Sequence, residues 1–279
     1  MKKTEEIFFR AVMVISSVII LGILLYILIT IVMKGAGSLS WDMVTKIPSG
    51  GFYLGKEGGI LNAIIGSVYL IAGAVFLSIL ISVPVVLFIN FYIAKNSVFA
   101  SLCRLTFDIL FGIPSIVYGA FGFALMIYLG IKASLLGGII AVTMLIIPIM
   151  IRSIDEVAVL VPTDLKEAPK ALGATKLEIS KVILRQIMPG ITTAILLSIG
   201  RGIGDAATVL FTAGYTDSIP TSLDQPAASL PLAIFFQLGS PVEEVQNRAY
   251  AAALILTIII LILSLSGRYF SSKLSKHKI

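Results

Sequence analysis

The chain has 279 residues, of which 58% are apolar and only 13% are charged, with a mean hydropathy of +1.04. Soluble domains carry about 25% charged residues, so a water-soluble globule is excluded. The single cysteine, Cys103, excludes an internal disulfide and cysteine-built zinc or iron–sulfur sites, and the single histidine, His277, leaves no basis for a His-coordinated metal or a Ser–His pair. Hydrolytic chemistry within the chain is not expected.

Six apolar stretches, at 11–33, 60–93, 109–129, 134–151, 187–213 and 249–267, reach the length of roughly 18 residues or more that marks a bilayer span. Backbone groups in hydrocarbon must be satisfied within their own segment, and none of the stretches alternates like a barrel strand, so all six are predicted to be helices. The expected fold is all-α, a polytopic membrane protein with six transmembrane helices. The first stretch follows Lys2, Lys3 and Arg10 and is longer than a signal-peptide core, which predicts a retained anchor. Pro84 removes a backbone donor inside the second and predicts a kink or break there. Pro114 and Pro148 predict kinks in the third and fourth, each freeing a carbonyl one turn earlier.

Alternate loops sort the basic residues clearly. Segments 1–10, 94–108, 152–186 and 268–279 collect 15 of the 21 Lys and Arg residues; the opposite loops hold five, and Arg201 lies within a span. The bias predicts cytoplasmic N- and C-termini. The net charge of +6 is therefore mostly a sided membrane signature and implies no nucleic-acid partner.

Residues 152–186 form the one long polar stretch on the predicted cytoplasmic side. Asp164 followed three positions later by Glu167, with Pro162 upstream and Leu165, Ala168 and Leu172 at helical spacing, predicts a short amphipathic helix over 164–172. Gly173 predicts its end, and a second helical stretch is expected from Thr175 until Pro189-Gly190 opens the next span. Without further signals such a pair lies at the headgroups or docks a partner with equal ease.

Glu167-Ala168-Pro169, then Gly173, then Ile183, resembles the EAA signature of permease subunits in binding-protein-dependent ABC importers. Pro169 stands where that family has Ala, which predicts a later start or a local distortion of the helix. Gly58-Gly59-Ile60-Leu61-Asn62, the run Gly112 to Gly119, Leu210-Phe211-Thr212-Ala213-Gly214 and Ser229 to Phe235 are similar to the phosphate-specific branch. The resemblance covers about residues 58–267. It implies a type I importer permease fold over 60–270, with an anchor helix and outer loop at 1–59, a coupling segment at 164–190 and a basic tail at 271–279. It also implies that Leu165, Glu167, Ala168, Leu172 and Gly173 meet a cytoplasmic ATPase. The implied partners are a second homologous permease, two ATPase subunits and an extracytoplasmic phosphate-binding protein, in a bacterial or archaeal cytoplasmic membrane.

Arg201 and Asp205 lie four residues apart in the fifth span, an interval that places them on one helical face. A charge at the bilayer centre costs roughly 2.5 to 3.5 kcal/mol, so both are expected to face protein or water. A structural ion pair is one reading. The other is an oxyanion site, in which the planar fork of Arg201 binds phosphate and Asp205 balances it between passages. The resemblance favours the second. Ser115, beside Pro114, is a further candidate on the pathway. Gly66, Gly73, Gly112, Gly119, Gly122, Gly137 and Gly138 are expected to let helices approach closely. Residues 217–231, rich in Ser, Thr and Pro, are expected to form an outer loop, and the resemblance implies that it meets the binding protein.

No segment matches G-x-x-x-x-G-K-[ST], so ATP and its magnesium are expected on the partner ATPase and no cofactor on this chain. Two alternatives stay open at this level: a permease for another oxyanion such as sulfate or molybdate, and a proton-coupled secondary transporter with Asp205 as its protonation site. A non-transporting membrane receptor is a third.

Overall fold

Helices carry most of the backbone hydrogen bonding, as a lipid solvent demands. The computed structural model describes residues 2–49, 57–93, 97–162 and 164–275; Lys56, Lys95, Lys276 and Lys278 of the charge pattern, and His277, lie outside them. The elements run α1 (Lys2–Ser38), α2 (Trp41–Thr45), β1 (Pro48–Ser49), β2 (Glu57–Gly58), α3 (Leu61–Leu87), a π-helical turn (Phe88–Tyr92), α4 (Val98–Phe111), α5 (Ser115–Leu129), α6 (Leu135–Val159), α7 (Asp164–Ala171), α8 (Lys176–Ile203), α9 (Leu230–Leu238) and α10 (Glu243–Ser275). The two short strands pair antiparallel, Pro48 with Gly58 and Ser49 with Glu57.

Five of these helical segments are long and apolar enough to cross a membrane, and the bent pair α4–α5, taken as one broken span, brings the number to six. Helices α3, α6 and α8 pack together at the centre, where Ile146, Met150, Ile154, Ile183 and Ile187 are fully enclosed. A second apolar cluster joins Met43, Ile60 and Leu230 to Ala251 and Ala252 of α10. Helix α1 lies along α10 with its apolar side chains exposed, as a lipid-facing helix does.

Several expectations need correction. Pro84 does not break the second span: α3 runs through it to Leu87, and the backbone widens into the π turn, where Ile93 N–H reaches the Phe88 carbonyl. The third span is not a kinked helix but two helices at 100°, because Gly112 ends α4 and Pro114 can supply no amide to continue it. Pro148, by contrast, stays within a continuous α6.

The fifth span ends early. Helix α8 is a single rod from Lys176 through Pro189 to Ile203, so the two stretches predicted on either side of Pro189 are one, while residues 204–213 leave the helix. Nor is 217–231 simply an open loop. Thr221 to Pro226 are exposed, but Ala227, Ala228 and Leu230 are fully enclosed. Leu135 and Leu136, at the start of α6, donate amides to the carbonyls of Gln225 and Leu223, and Ser134 donates to Thr212.

Candidate functional site: a broken span around Arg201 and Asp205

Helix α8 stops at Gly204, and Asp205 starts a new turn by accepting the backbone N–H of Thr208 at 2.8 Å through Oδ2. An aspartate bonded to an amide three residues on caps a helical turn, so the same side chain that holds the arginine also ends the span. Irregular backbone within an apolar bundle is tolerated where it is buried in protein or lines a water-filled path. Asp205, Thr208, Val209, Thr212 and Ala213 are buried accordingly.

Arg201, in the last turn of α8, reaches Asp205 Oδ1 with Nη1 at 3.1 Å. The pair expected on one helical face is thus joined across the end of the helix. The two partners differ in access: the Asp205 side chain is 4% exposed and that of Arg201 44%. The carboxylate is built into the chain, and the guanidinium keeps donor positions on its surface. Both carboxylate oxygens accept hydrogen bonds, the arrangement of a fixed counter-charge.

The broken third span completes the arrangement. Ser115 opens α5 just past the 100° joint, and its carbonyl accepts the Thr208 hydroxyl at 3.2 Å. A continuous chain of contacts therefore runs Ser115, Thr208, Asp205, Arg201. Ser115 takes part through its backbone, not through the side chain that makes serine a pathway candidate. Thr208 has no counterpart among the sequence candidates. The signal for it is the spacing, an aspartate after glycine with an amide to cap three residues on.

Glycines let α5 and α3 close on this segment. A methyl group at Gly119 would lie 2.6 Å from the Ala207 carbonyl oxygen and 3.1 Å from the Thr208 Cα, and one at Gly66 would strike the carbonyl of Ala228. Gly73 faces the Ile139 side chain, and Gly122, Gly137 and Gly138 face Thr212 or Ala213 among their neighbours, so the close approaches mostly serve the irregular segment rather than pairs of helices. Gly112 makes no such approach and instead caps α4.

The second candidate region lies at the opposite end of α8. Helix α7 begins at Asp164, as the Asp164–Glu167 spacing predicts, and contains Pro169 without a later start. The proline sits two residues from the helix end, and its own carbonyl accepts the amides of Leu172 and Ala174 at 3.2 and 3.0 Å. Gly173 takes the left-handed φ of 80° that this turn requires, and Thr175 caps α8 in a reciprocal capping box with Glu178. The α7–α8 corner is thus fixed at both sides. Glu167, Ala168 and Gly173 are exposed, Leu165 borders on it, and Leu172 is 88% exposed.

A six-span bundle with a surface helix between its fourth and fifth spans defines a class, and the comparison bears it out. Residues 88–276 match the family described as binding-protein-dependent transport system inner membrane component, and the chain belongs to that family. It is a multi-pass membrane protein with a type I importer permease fold. Several relatives bear the name phosphate transport system permease protein PstA. The one from Haemophilus influenzae is 33% identical over 273 residues, 96% of this chain and 94% of its own. The one from Yersinia pestis is 36% identical over 258 residues, 91% and 85% of the two chains. Among solved structures, the fold is similar to a chain of the MetNI methionine ABC transporter in an inward-facing conformation. That likeness has a TM-score of 0.59 at 20% identity and covers 77% of this chain and 97% of that one.

Proposed function

We propose that this chain is one permease subunit of an ATP-driven phosphate importer, and that Arg201 is its oxyanion contact. It supplies half of the pathway, pairs with a second homologous permease and two ATPase subunits, and receives phosphate from an extracytoplasmic binding protein. The termini and α7 face the cytoplasm, and ATP with its magnesium is bound by the partner ATPase. The relatives named for phosphate transport support the substrate. The observation that carries the mechanism is the continuity of α8: one rod, about 38 Å long from Lys176 to Arg201, links the fixed α7 corner to the arginine.

Arg201 offers a planar fork matched to phosphate oxygens, and a guanidinium sheds water more readily than an ammonium. Asp205, buried behind it, offsets the cost of holding a cation at that depth when no anion is present. An arriving phosphate takes the free donors on the exposed side of the fork. The neighbouring carboxylate weakens that binding enough for release, which conduction needs. When nucleotide closes the ATPase pair, α7 moves as a rigid body and α8 tilts with it, so the arginine faces one side of the membrane and then the other.

The test is co-purification followed by reconstitution. Epitope-tagged chain extracted from membranes brings down the second permease and the ATPase. Vesicles of that complex, supplied with ATP and the binding protein, accumulate labelled phosphate despite a protonophore. Arg201→Gln assembles but accumulates none. Uptake abolished by the protonophore at constant ATP would instead assign Asp205 a proton-carrying role, and uptake of sulfate or molybdate in place of phosphate would reassign the substrate. No flux of any anion with all partners present would leave the receptor reading.

A further inference from the structure

Outside the Arg201 site, one buried charge cluster has no role in the mechanism above. Asp155, near the end of α6, has a side chain only 10% exposed. Its Oδ2 accepts Arg104 Nε of α4 at 2.8 Å; its Oδ1 accepts Arg104 Nη2 at 3.3 Å and Asn90 Nδ2 at 2.6 Å. The cluster closes on itself, because Arg104 Nη2 also donates to Asn90 Oδ1 at 3.0 Å. Asn90 stands in the π turn after α3, and its Nδ2 donates as well to the Val86 carbonyl at 3.0 Å. A single carboxylate therefore ties three elements together.

Stability does not account for this arrangement. A buried ion pair gains little over apolar side chains of similar volume, because desolvation consumes most of the Coulombic attraction. What such a cluster supplies is one fixed geometry, and its place is informative. Helix α6 ends at Val159, and four residues separate it from the start of α7 at Asp164. Helix α4, clamped by Arg104, ends at the 100° joint whose far side is Ser115, the acceptor for Thr208. The π turn serves the same end, since one such turn inside a helix re-aims a side chain and is common at functional sites.

We propose that Asp155, Arg104 and Asn90 are positioning residues that clamp α4 and the end of α3 to the root of α6. A displacement of α7 then reaches Asp205 by a second route, through α6, α4 and the joint to α5, in step with the direct route along α8. With the clamp open, α8 moves while Ser115 and Thr208 stay behind, and ATP is spent without passage of the anion. This inference rests on the importer reading above.

The experiment uses the full reconstituted transporter with its binding protein and measures ATP hydrolysed per phosphate taken up. Asp155→Asn and Arg104→Gln are each expected to raise that ratio roughly tenfold, with the pair together no worse than either alone, because both remove the same clamp. Arg104→Leu combined with Asp155→Leu removes both charges without leaving one unpaired, and is expected to assemble normally yet show the same raised ratio. An unchanged ratio in the double leucine variant, or hydrolysis and uptake falling in proportion, overturns the proposal. So does a double leucine variant that fails to assemble, since the cluster would then be a folding element. If the wild-type complex itself takes up no phosphate with ATP, the functional reading fails instead, a result distinct from a coupled wild type with coupled variants.

Discussion

Gly119 gives the sharpest test of the link between the two broken spans. A Cβ at this position would lie 2.6 Å from the Ala207 carbonyl oxygen, where ordinary contact begins at 3.4 Å, so α5 or the 205–208 turn must yield by about 0.8 Å. Both partners are backbone, and neither is the loose end of a side chain. A shift of that size applied to the 2.8 Å bond from Thr208 N–H to Asp205, or to the 3.2 Å bond from its hydroxyl to Ser115, takes either beyond hydrogen-bonding distance. Overpacking of this kind costs about 1 to 3 kcal/mol, and a hydrogen bond lost to a charged group about 1.5 to 3. Gly119→Ala is therefore expected to lower the thermal midpoint of the detergent-solubilised complex and to reduce phosphate uptake at least tenfold. Gly22→Ala, whose Cβ meets nothing within 4 Å, is expected to change neither. Normal uptake and an unshifted midpoint in Gly119→Ala would refute the claim that α5 sets the position of Asp205.

The remaining predictions concern the two ends of α8. Arg201→Lys keeps the charge but loses the fork, and is expected to retain assembly with much reduced phosphate uptake, measured in the same vesicles. Asp205→Ala leaves the half-exposed guanidinium without its counter-charge and the buried Thr208 amide without its acceptor, and is expected to destabilise the chain by about 1 to 3 kcal/mol, seen as reduced recovery of folded protein from membranes. Glu167→Lys is expected to uncouple hydrolysis from uptake with the spans intact. Gly173→Ala forces an L side chain into the left-handed region in otherwise open space, so it is expected to cost about 1 to 2 kcal/mol through backbone strain alone, read as a lowered melting midpoint.

Hydropathy made the six crossings legible, because a bilayer selects long apolar runs whatever their neighbours. The start of α7 was legible too, since Asp164 and Glu167 act within one turn. Three features were not. The third span reads as continuous from Ile109 to Leu129, yet an apolar count does not register that Gly112 and Pro114 remove the hydrogen bonds a helix needs to pass through. The end of α8 is hidden for the same reason: residues 206–213 are as apolar as a helix, and only the capping bond from Asp205 to Thr208, a tertiary as much as a local choice, turns the chain. Residues 227–230 look like a polar loop because Ser, Thr and Pro surround them, while their burial depends on Gly66 and Ser67 of α3, more than 150 positions away. The Asn90–Arg104–Asp155 cluster was invisible because its members fall in three different segments and each, taken singly, resembles a charge or amide at a membrane edge.

The first turn of α6 has a bearing on where a negative ion can rest. Free amides at a helix start ordinarily attract oxyanions, reinforced by the dipole of the helix behind them. Here the amides of Ser134, Leu135 and Leu136 are already occupied by carbonyls of the segment running from Thr212 to Gln225, so this natural anchorage is stoppered by the polypeptide itself. An oxyanion thus finds these amides already taken, and a variant that loosened the stopper would free them while leaving Arg201 untouched.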